Sequence, residues 1–208
     1  AFYDQAAYLG IDMKIPRTAV VITSSRIRYS IIETIKSHLA AGEYIVRQGM
    51  EEVLILFRSD KRLESRLEKI LDISKDLENC YIGESDVIAS RTTNSVMQTF
   101  HIARALNIRK RILCYHEVSL ECLLNNIEVT RELEEILKLL EERDVDGVLK
   151  ETITAYVEDN DNYAQICDKL HIHRNTLNYR LAKIEELLNR NPRRAKDLMM
   201  LYIAVIKM

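Results

Sequence analysis

The sequence lacks patterned cysteines, long hydrophobic runs and an excess of charge of one sign. Its four cysteines form no CxxC pair, and isolated thiols of this kind are typical of a reduced, cytosolic protein. No apolar run approaches the roughly 18 residues that a membrane-spanning helix needs, and no signal peptide is visible. These absences argue against a disulfide framework and against a membrane partner, and we expect a cytoplasmic chain. No sequence feature requires a cofactor.

Charge is nearly balanced over the whole chain but is distributed unevenly along it. The 208 residues carry a formal net charge of −2, which excludes a polybasic coat and an acidic disordered tail. Residues 161–208 hold nine Lys and Arg against five Asp and Glu, whereas the remaining residues hold 21 against 27. A basic region attached to an acidic one indicates a polyanionic partner for the C-terminal end.

The first part of the chain alternates strand and helix patterns. The β-branched apolar run Arg17–Thr23 follows Pro16 and predicts a buried strand. Further strands are predicted on both sides of a turn near Gly49 within Glu43–Phe57, at Cys80–Gly83 and at Arg111–Tyr115. Apolar spacing predicts helices over Ile27–Leu39, Leu63–Leu77 and Val96–Leu106. The order strand, helix, strand, strand, helix, strand, helix, strand predicts an α+β domain, a sheet with helices packed on one face.

From Val118 onward the pattern predicts helices without strands. Arg131–Asp144 and Val145–Asp159 are amphipathic, and the Asn160–Asn162 cluster predicts a break between helices. A last apolar helix, Ala195–Met208, follows a polar link. These segments predict an all-helical C-terminal module.

Within this module, the spacing predicts a helix-turn-helix. Asn162 can cap a short helix that starts at Tyr163, with Gln165 completing a capping box. His171 occupies a turn position that needs a positive φ, which His tolerates better than most residues. His173 can then cap a longer helix.

The longer helix has one apolar stripe, formed by Leu177, Leu181, Ile184 and Leu188. Its other side chains suit duplex DNA, because Asn can pair with adenine and Arg with guanine in the major groove. Thr and Tyr hydroxyls and Lys suit phosphate oxygens. The candidate DNA-binding residues are His173, Arg174, Asn175, Thr176, Asn178, Tyr179 and Lys183.

The segment "LHIHRNTLNYRLAKIEEL" resembles the C-terminal helix-turn-helix of the carbohydrate diacid regulator family and of the purine-catabolism regulators that share this module. The preceding "ETITAYVEDNDNYAQICDKL" and the terminal "LMMLYIAVIKM" fit the same module. "LGIDMKIPRTAVVI" (Leu9–Ile22) is similar to the start of that family's middle domain, a ferredoxin-like palm related to diguanylate cyclases.

The resemblance implies a transcription regulator, with a leader at residues 1–16, a palm-like domain at 17–125, a linking helix at 126–144 and a DNA-binding domain at 145–208. It implies activation of genes for sugar-diacid uptake and catabolism. The diacid effector would bind a sensing domain that is absent from this chain, which begins at Ala1 rather than Met. One module has too small a footprint for high specificity, so we expect a homodimer or a higher homo-oligomer on DNA.

Alternative functions remain open at this point. The same DNA reader could regulate purine or other catabolism, or the chain could be a degenerate nucleotide-binding or dimerising protein. Cyclase chemistry is not expected, since the turn Arg47–Val53 has one Gly and the first strand ends in "VVITSS" without an Asp. The spacing of Cys114, His116 and Cys122 matches no common zinc pattern. We therefore expect neither an enzyme nor a metal site.

Overall fold

The computed structural model describes residue 12, residues 14–159 and residues 162–208. Most of the predicted leader over residues 1–16, and two residues of the Asn160–Asn162 break, lie outside the described residues. The chain forms two compact units, one of residues 1–104 and 108–122 and the other of residues 105–107 and 123–208. The predicted domain boundaries stay a prediction.

The first unit contains the predicted alternation of strands and helices, followed by two short helical segments. Its strands are β1 (Arg17–Ser24), β2 (Tyr44–Gln48), β3 (Glu52–Arg58), β4 (Leu77–Asp86) and β5 (Ile112–Cys114). Its helices are α1 (Tyr29–Lys36), α2 (Leu63–Leu71), α3 (Ala89–Ala105) and α4 (Ser119–Asn125), with a 3₁₀ turn at Tyr115–Glu117. The last residue of α3 and the last three residues of α4 fall in the second unit.

The five strands form one sheet in the order β2-β3-β1-β4-β5. All neighbours are antiparallel except β4 and β5, which run parallel. In the central strand, Val20 lies opposite Ile55 of β3 and Ile82 of β4. The first four strands have the ferredoxin-like arrangement of a βαββαβ unit, and β5 extends it at one edge. The α+β fold class is therefore confirmed.

Helices cover both faces of this sheet, so the prediction of helices on one face was wrong. Val20 and Ile22 share a buried cluster with α1 and α2. On the opposite face, the Tyr81 ring meets the Phe100 ring of α3 edge-on, with centroids 5.1 Å apart. A side chain at Gly83 would lie 2.6 Å from the Thr92 carbonyl of α3. Because β1 is apolar at consecutive positions, it presents apolar side chains on both faces of the sheet, and both faces have to be buried.

The second predicted helix was too long. It was expected to run from Leu63 to Leu77 but ends at Leu71, and Leu77 is the first residue of β4. Leu77 lies six positions beyond Leu71, which turns it away from the buried stripe of a helix. It is buried because it belongs to a strand.

The second unit is helical throughout its regular structure, as predicted. It contains α5 (Arg131–Arg143), α6 (Val148–Glu158), α7 (Tyr163–Leu170), α8 (Arg174–Leu188) and α9 (Ala195–Lys207). Helix α6 contacts α7, α8 and α9, and α9 also contacts α5. Among the described residues, no helix is both long and apolar enough to cross a membrane.

Asp144 forms the joint between α5 and α6. Its backbone N–H donates to the carbonyl of Leu140 at the end of α5. Its two carboxylate oxygens accept hydrogen bonds from the backbone amides of Leu149 and Lys150, at 2.9 and 2.8 Å. One side chain thus satisfies two of the free N–H groups at the start of α6.

Candidate nucleic-acid interface

The turn between α7 and α8 has the conformation that the sequence predicts. His171 has φ 51° and ψ 44°, which is the left-handed region. Its amide donates to the carbonyl of Asp168, and the amide of Ile172 donates to the carbonyl of Cys167 at 3.0 Å. These two bonds close the C-terminal end of α7 and direct the chain into α8.

Side chains cap the first turns of both helices. Oδ1 of Asn162 accepts from the backbone amide of Gln165 at 3.4 Å, as predicted. The backbone amide of Asn162 donates to the carbonyl of Asp159 instead of to Gln165, so the second half of the expected capping box is replaced. Nδ1 of His173 accepts from the backbone amide of Asn175 at 3.2 Å. The capping form of His173 therefore carries its proton on Nε2.

Helix α8 buries one stripe and exposes the rest of its surface. The buried residues are Leu177, Leu181, Ile184 and Leu188, which are the four predicted. The exposed residues include all seven candidates, namely His173, Arg174, Asn175, Thr176, Asn178, Tyr179 and Lys183. With 100° per residue, Tyr179 lies opposite the stripe and Asn178 lies on its flank. All seven candidates thus face solvent, and their contact with DNA stays a prediction.

Arg174 is held by a ring rather than by a carboxylate. Its guanidinium carbon lies 5.4 Å from the centroid of the Tyr163 ring, the first residue of α7. The Tyr163 ring meets the Tyr156 ring edge-on at 6.2 Å, and Tyr156 is buried. A cation over an aromatic face keeps its N–H donors available, so Arg174 is positioned at the start of α8 without losing its capacity to bind an anion.

Sequence reasoning missed Arg193, which lies between α8 and α9. Its Nε donates to the Tyr163 hydroxyl and its Nη2 to Oδ1 of Asn178, both at 3.3 Å. The signal was a basic cluster within residues 190–196. Which of its side chains reaches α8 depends on the turn geometry and cannot be inferred from spacing.

Other basic side chains of this unit are used in ion pairs. Lys169 lies 2.5 Å from the carboxylate of Glu158 and 3.4 Å from that of Asp159. Burial would lower the pKa of Lys169, but the two carboxylates outweigh it and raise the pKa. Arg190 pairs with Glu132.

Six exposed cations of the same unit have no carboxylate partner in the part of the chain that the structure describes, namely Arg143, Arg174, Lys183, Arg193, Arg194 and Lys196. Arg174 and Lys183 belong to α8, and Arg193 contacts it. These three are the positive charges that a polyanion bound at α8 could neutralise.

This C-terminal region matches a known domain family. The family model described as the PucR C-terminal helix-turn-helix domain matches residues 149–206. Residues 149–206 are thus similar to the helix-turn-helix domain of PucR-type proteins. The match includes α6 to α9 almost completely, that is, the helix-turn-helix pair, the helix α6 that contacts both of its members, and α9, which contacts α6.

Two curated relatives extend the similarity beyond these residues. The uncharacterized protein YsfB of Bacillus subtilis (strain 168) is 25% identical over 99% of this chain and 59% of its own length. The carbohydrate diacid regulator of Escherichia coli (strain K12) is 26% identical over 70% of this chain and 39% of its own. The chain thus spans less than two thirds of the length of each of these two curated relatives.

A solved structure also aligns with the chain. The crystal structure of a regulator of polyketide synthase expression from Bifidobacterium adolescentis has a TM-score of 0.46 at 20% identity. The alignment covers 98% of this chain and 84% of that one.

The ferredoxin-like sheet of the first unit brings the end of β1 next to the β2–β3 turn. The amide of Ser24, at the end of β1, donates to the carbonyl of Glu51 in the β2–β3 turn at 2.8 Å. The strand end and the turn are thus adjacent, as a nucleotide cyclase would need. Thr23 and Ser24 occupy the strand end, and neither can share a metal through a carboxylate.

The cysteines of the first unit are packed as core thiols. Burial raises the pKa of Cys114 to about 11 and that of Cys122 to about 11. Both thiols therefore stay protonated at neutral pH, whereas zinc binds thiolate. Within the described ranges, no group of three or more His, Cys, Asp and Glu side chains is arranged to hold a metal ion.

Proposed function

We propose that this chain binds duplex DNA by inserting α8 into the major groove, as part of a cytoplasmic transcription regulator. The observation that carries the proposal is the character of the exposed side of α8. From Arg174 to Ile184 the helix contains no acidic residue, and Glu185 is the first. Its first three turns therefore present amides, hydroxyls and cations to an anionic groove without like-charge repulsion.

The geometry suggests which of these side chains contact base edges and which contact phosphates. Arg174 and Asn175 lie in the first turn of α8, the part of a recognition helix that reaches base edges. Thr176, Tyr179 and Lys183 lie further along the exposed side and suit phosphate oxygens, which fix register rather than sequence. His173 caps the helix, so its Nε2–H is the donor that it can offer to a phosphate.

The proposed assembly on DNA is a homodimer or a higher homo-oligomer. One recognition helix reads only a few base pairs, and helix-turn-helix proteins gain specificity by placing two such helices about 34–36 Å apart on successive turns of the groove. We therefore expect an operator with two half-sites about 10 base pairs apart, centre to centre.

The proposed output is activation of genes for the uptake and breakdown of sugar diacids. The similarity to the carbohydrate diacid regulator, over 70% of this chain, supports this assignment. The effector would act through a domain outside this chain. Regulation of purine or other catabolism is the second candidate, because the matched domain is PucR-type.

We further propose that the palm-like unit performs no chemistry. Its β1 end carries Thr23 and Ser24 where a catalytic palm would need a carboxylate, and its β2–β3 turn has the single glycine Gly49. Ligand binding or dimerisation would fit a palm of this kind. Product formed from GTP and Mg²⁺ by the purified chain would contradict this part of the proposal.

A duplex-binding titration tests the central proposal. We expect the chain to bind a fluorescent duplex with an affinity that falls linearly, on logarithmic axes, as salt is raised. Arg174→Ala should weaken binding and flatten the salt dependence, while the matched Arg143→Ala at the end of α5 should do neither. Negligible binding at low salt, or an unchanged affinity in Arg174→Ala, would refute the DNA-reader assignment in favour of a dimerising protein.

A further inference from the structure

The side chain of Arg193 links two elements of the DNA-binding unit. It donates from Nη2 to Oδ1 of Asn178 on α8 and from Nε to the hydroxyl of Tyr163 on α7, at 3.3 Å in each case. Asn178 is exposed on the flank of α8, next to the start of the helix. One guanidinium from outside the helix-turn-helix pair therefore contacts both of its helices.

The connection between α8 and α9 is built to hold Arg193 in this position. Asn189 ends α8 in the left-handed conformation, with φ 50°. Oδ1 of Asn191 accepts from the backbone amide of Arg193 at 2.9 Å. The backbone amide of Asn191 in turn donates to the carboxylate of Asp197 in the first turn of α9, at 3.2 Å. The backbone that carries Arg193 is thus tied to α9, and Pro192 beside it is buried.

This contact decides which end of the Asn178 amide is free. A side-chain amide has an acceptor oxygen at one end and a donor NH₂ group at the other, whereas a guanidinium has donors only. Arg193 can therefore pair with the oxygen of Asn178 and not with its nitrogen. Among the described residues no acceptor bonds to the NH₂ group of Asn178. The amide is left with two N–H donors to offer to a ligand.

We infer that Arg193 is a positioning residue that turns Asn178 into a donor and makes it select guanine. The inference rests on the proposed function of α8 as the recognition helix. Guanine presents two acceptors in the major groove, N7 and O6, which match the two donors of an NH₂ group. Adenine presents N7 and the N6 donor, so its bidentate pairing with Asn requires the oxygen that Arg193 already engages. Discrimination at this base pair is thus assigned to the Arg193–Asn178 pair.

The competing role for Arg193 is that of a phosphate ligand. Three of its five N–H donors remain after the bonds to Tyr163 and Asn178. A phosphate contact would add affinity for every sequence, whereas a positioning role would change the base preference at one position. The two roles therefore give different patterns of binding.

The test uses the full chain and duplexes selected from a randomised library. Each base pair of the preferred duplex is then substituted singly, and binding is measured for wild type, Asn178→Ala, Arg193→Ala and Arg193→Met. We expect Asn178→Ala to abolish the preference at one position, where wild type favours guanine over adenine by about three- to tenfold. Arg193→Ala and Arg193→Met should shift that position toward adenine and leave the other positions unchanged.

Arg194→Ala is the matched control, because it removes the neighbouring positive charge and leaves Arg193 in place. It should leave the base preference intact. Arg193→Met keeps a long side chain but has no N–H donor, so it keeps the test valid if Arg193→Ala unfolds. Thermal unfolding of the two Arg193 variants shows which of them is folded, and the folded variant is used in the binding measurements.

Each remaining outcome is decisive. A wild type that prefers adenine at the Asn178-dependent position overturns the inference, and so does a library in which Asn178→Ala changes no position. A uniform loss of affinity in the Arg193 variants, with the preference unchanged, assigns Arg193 to phosphate and also overturns it. A wild type that binds all duplexes equally, or none, refutes the proposed sequence-specific function itself.

Discussion

Two arginines in the two units of the molecule lie over aromatic rings and have opposite uses. Arg66 lies 5.0 Å from the Phe57 ring centroid, and Arg174 lies 5.4 Å from that of Tyr163. Arg66 also forms a two-pronged ion pair with Glu43, through Nη1 at 2.8 Å and Nη2 at 2.7 Å. Arg174 has no carboxylate partner among the described residues.

The difference distinguishes an arginine that stabilises the fold from an arginine that is available to bind a ligand. The Glu43 side chain is 1% exposed and also accepts from the backbone amides of Ala40 and Arg58, so every donor around it is satisfied within the fold. At Arg174 the ring fixes the position while the donors face solvent. Arg66 thus uses its donors within the fold, whereas Arg174 keeps its donors available.

Removing the buried carboxylate should have the largest effect on stability. Glu43→Gln leaves Arg66 without its counter-charge, and breaking a buried pair on one side is strongly destabilising. Because Arg66 is itself partly exposed, we expect a loss of roughly 2–4 kcal/mol in the free energy of unfolding. Urea denaturation followed by circular dichroism measures this loss. The control Glu33→Gln, which breaks the exposed pair with Lys36, should leave the denaturation curve unchanged. An equal effect of both substitutions would contradict the internal role of Glu43.

Lowering the pH should remove the stabilising contribution of Glu43 without any mutation. Burial alone would raise the pKa of Glu43, but Arg66 and the backbone amides of Ala40 and Arg58 outweigh it and hold the pKa below its ordinary value of 4.5. A carboxyl whose pKa is lower in the folded state stabilises the fold above the unfolded-state pKa and loses that effect as the pH falls. Wild type should therefore lose stability between about pH 5 and pH 3 more steeply than Glu43→Gln. Parallel pH profiles of the urea midpoint would contradict this.

Two lysines of the helix-turn-helix unit test the same distinction for binding. Lys183 has no ion-pair partner among the described residues, whereas Lys169 is paired with Glu158 and Asp159. Lys183→Ala should weaken duplex binding about three- to tenfold and reduce the salt slope by about 0.9. Lys169→Ala should change neither by a comparable amount, since its charge is already neutralised. Fluorescence anisotropy at several salt concentrations measures both quantities, and identical losses in the two variants would count against the assignment.

The smallest predicted effect concerns the turn between α7 and α8. His171 adopts φ 51°, and a left-handed conformation costs a non-glycine residue about 1–2 kcal/mol. His171→Gly should therefore raise the free energy of unfolding by about 0.5–1 kcal/mol after the entropy cost of glycine. Asn189→Gly, at φ 50°, is the matched substitution and should gain less because Asn tolerates this region better. Both variants should bind DNA as wild type does.

Local patterns predicted the helix-turn-helix well. The apolar stripe of α8, the cap at His173 and the left-handed turn at His171 follow from spacing and from residue type, and the structure confirms all three. These features depend on interactions within a few residues, which a linear sequence contains. The succession of strands and helices along the first unit could be predicted for the same reason, since each element has its own hydrophobic period.

Contacts between distant elements could not be predicted in this way. Leu77 was assigned to a helix because its apolar side chain follows a leucine-rich stripe, and only pairing with Ser24 of β1 shows that it begins a strand. Arg193 was not identified because its reach to Asn178 depends on the turn that ends α8. The second covered face of the sheet likewise depends on α3 packing against strands far away in sequence.

The Asp144 joint has a mechanical consequence. This residue closes the last turn of α5 with its backbone and the first turn of α6 with both carboxylate oxygens. Neither helix can rotate about its axis without breaking a hydrogen bond to this one residue. A rotation of α5 is therefore passed on to α6. Since α6 contacts both α7 and α8, Asp144 couples α5 mechanically to the two helices of the helix-turn-helix.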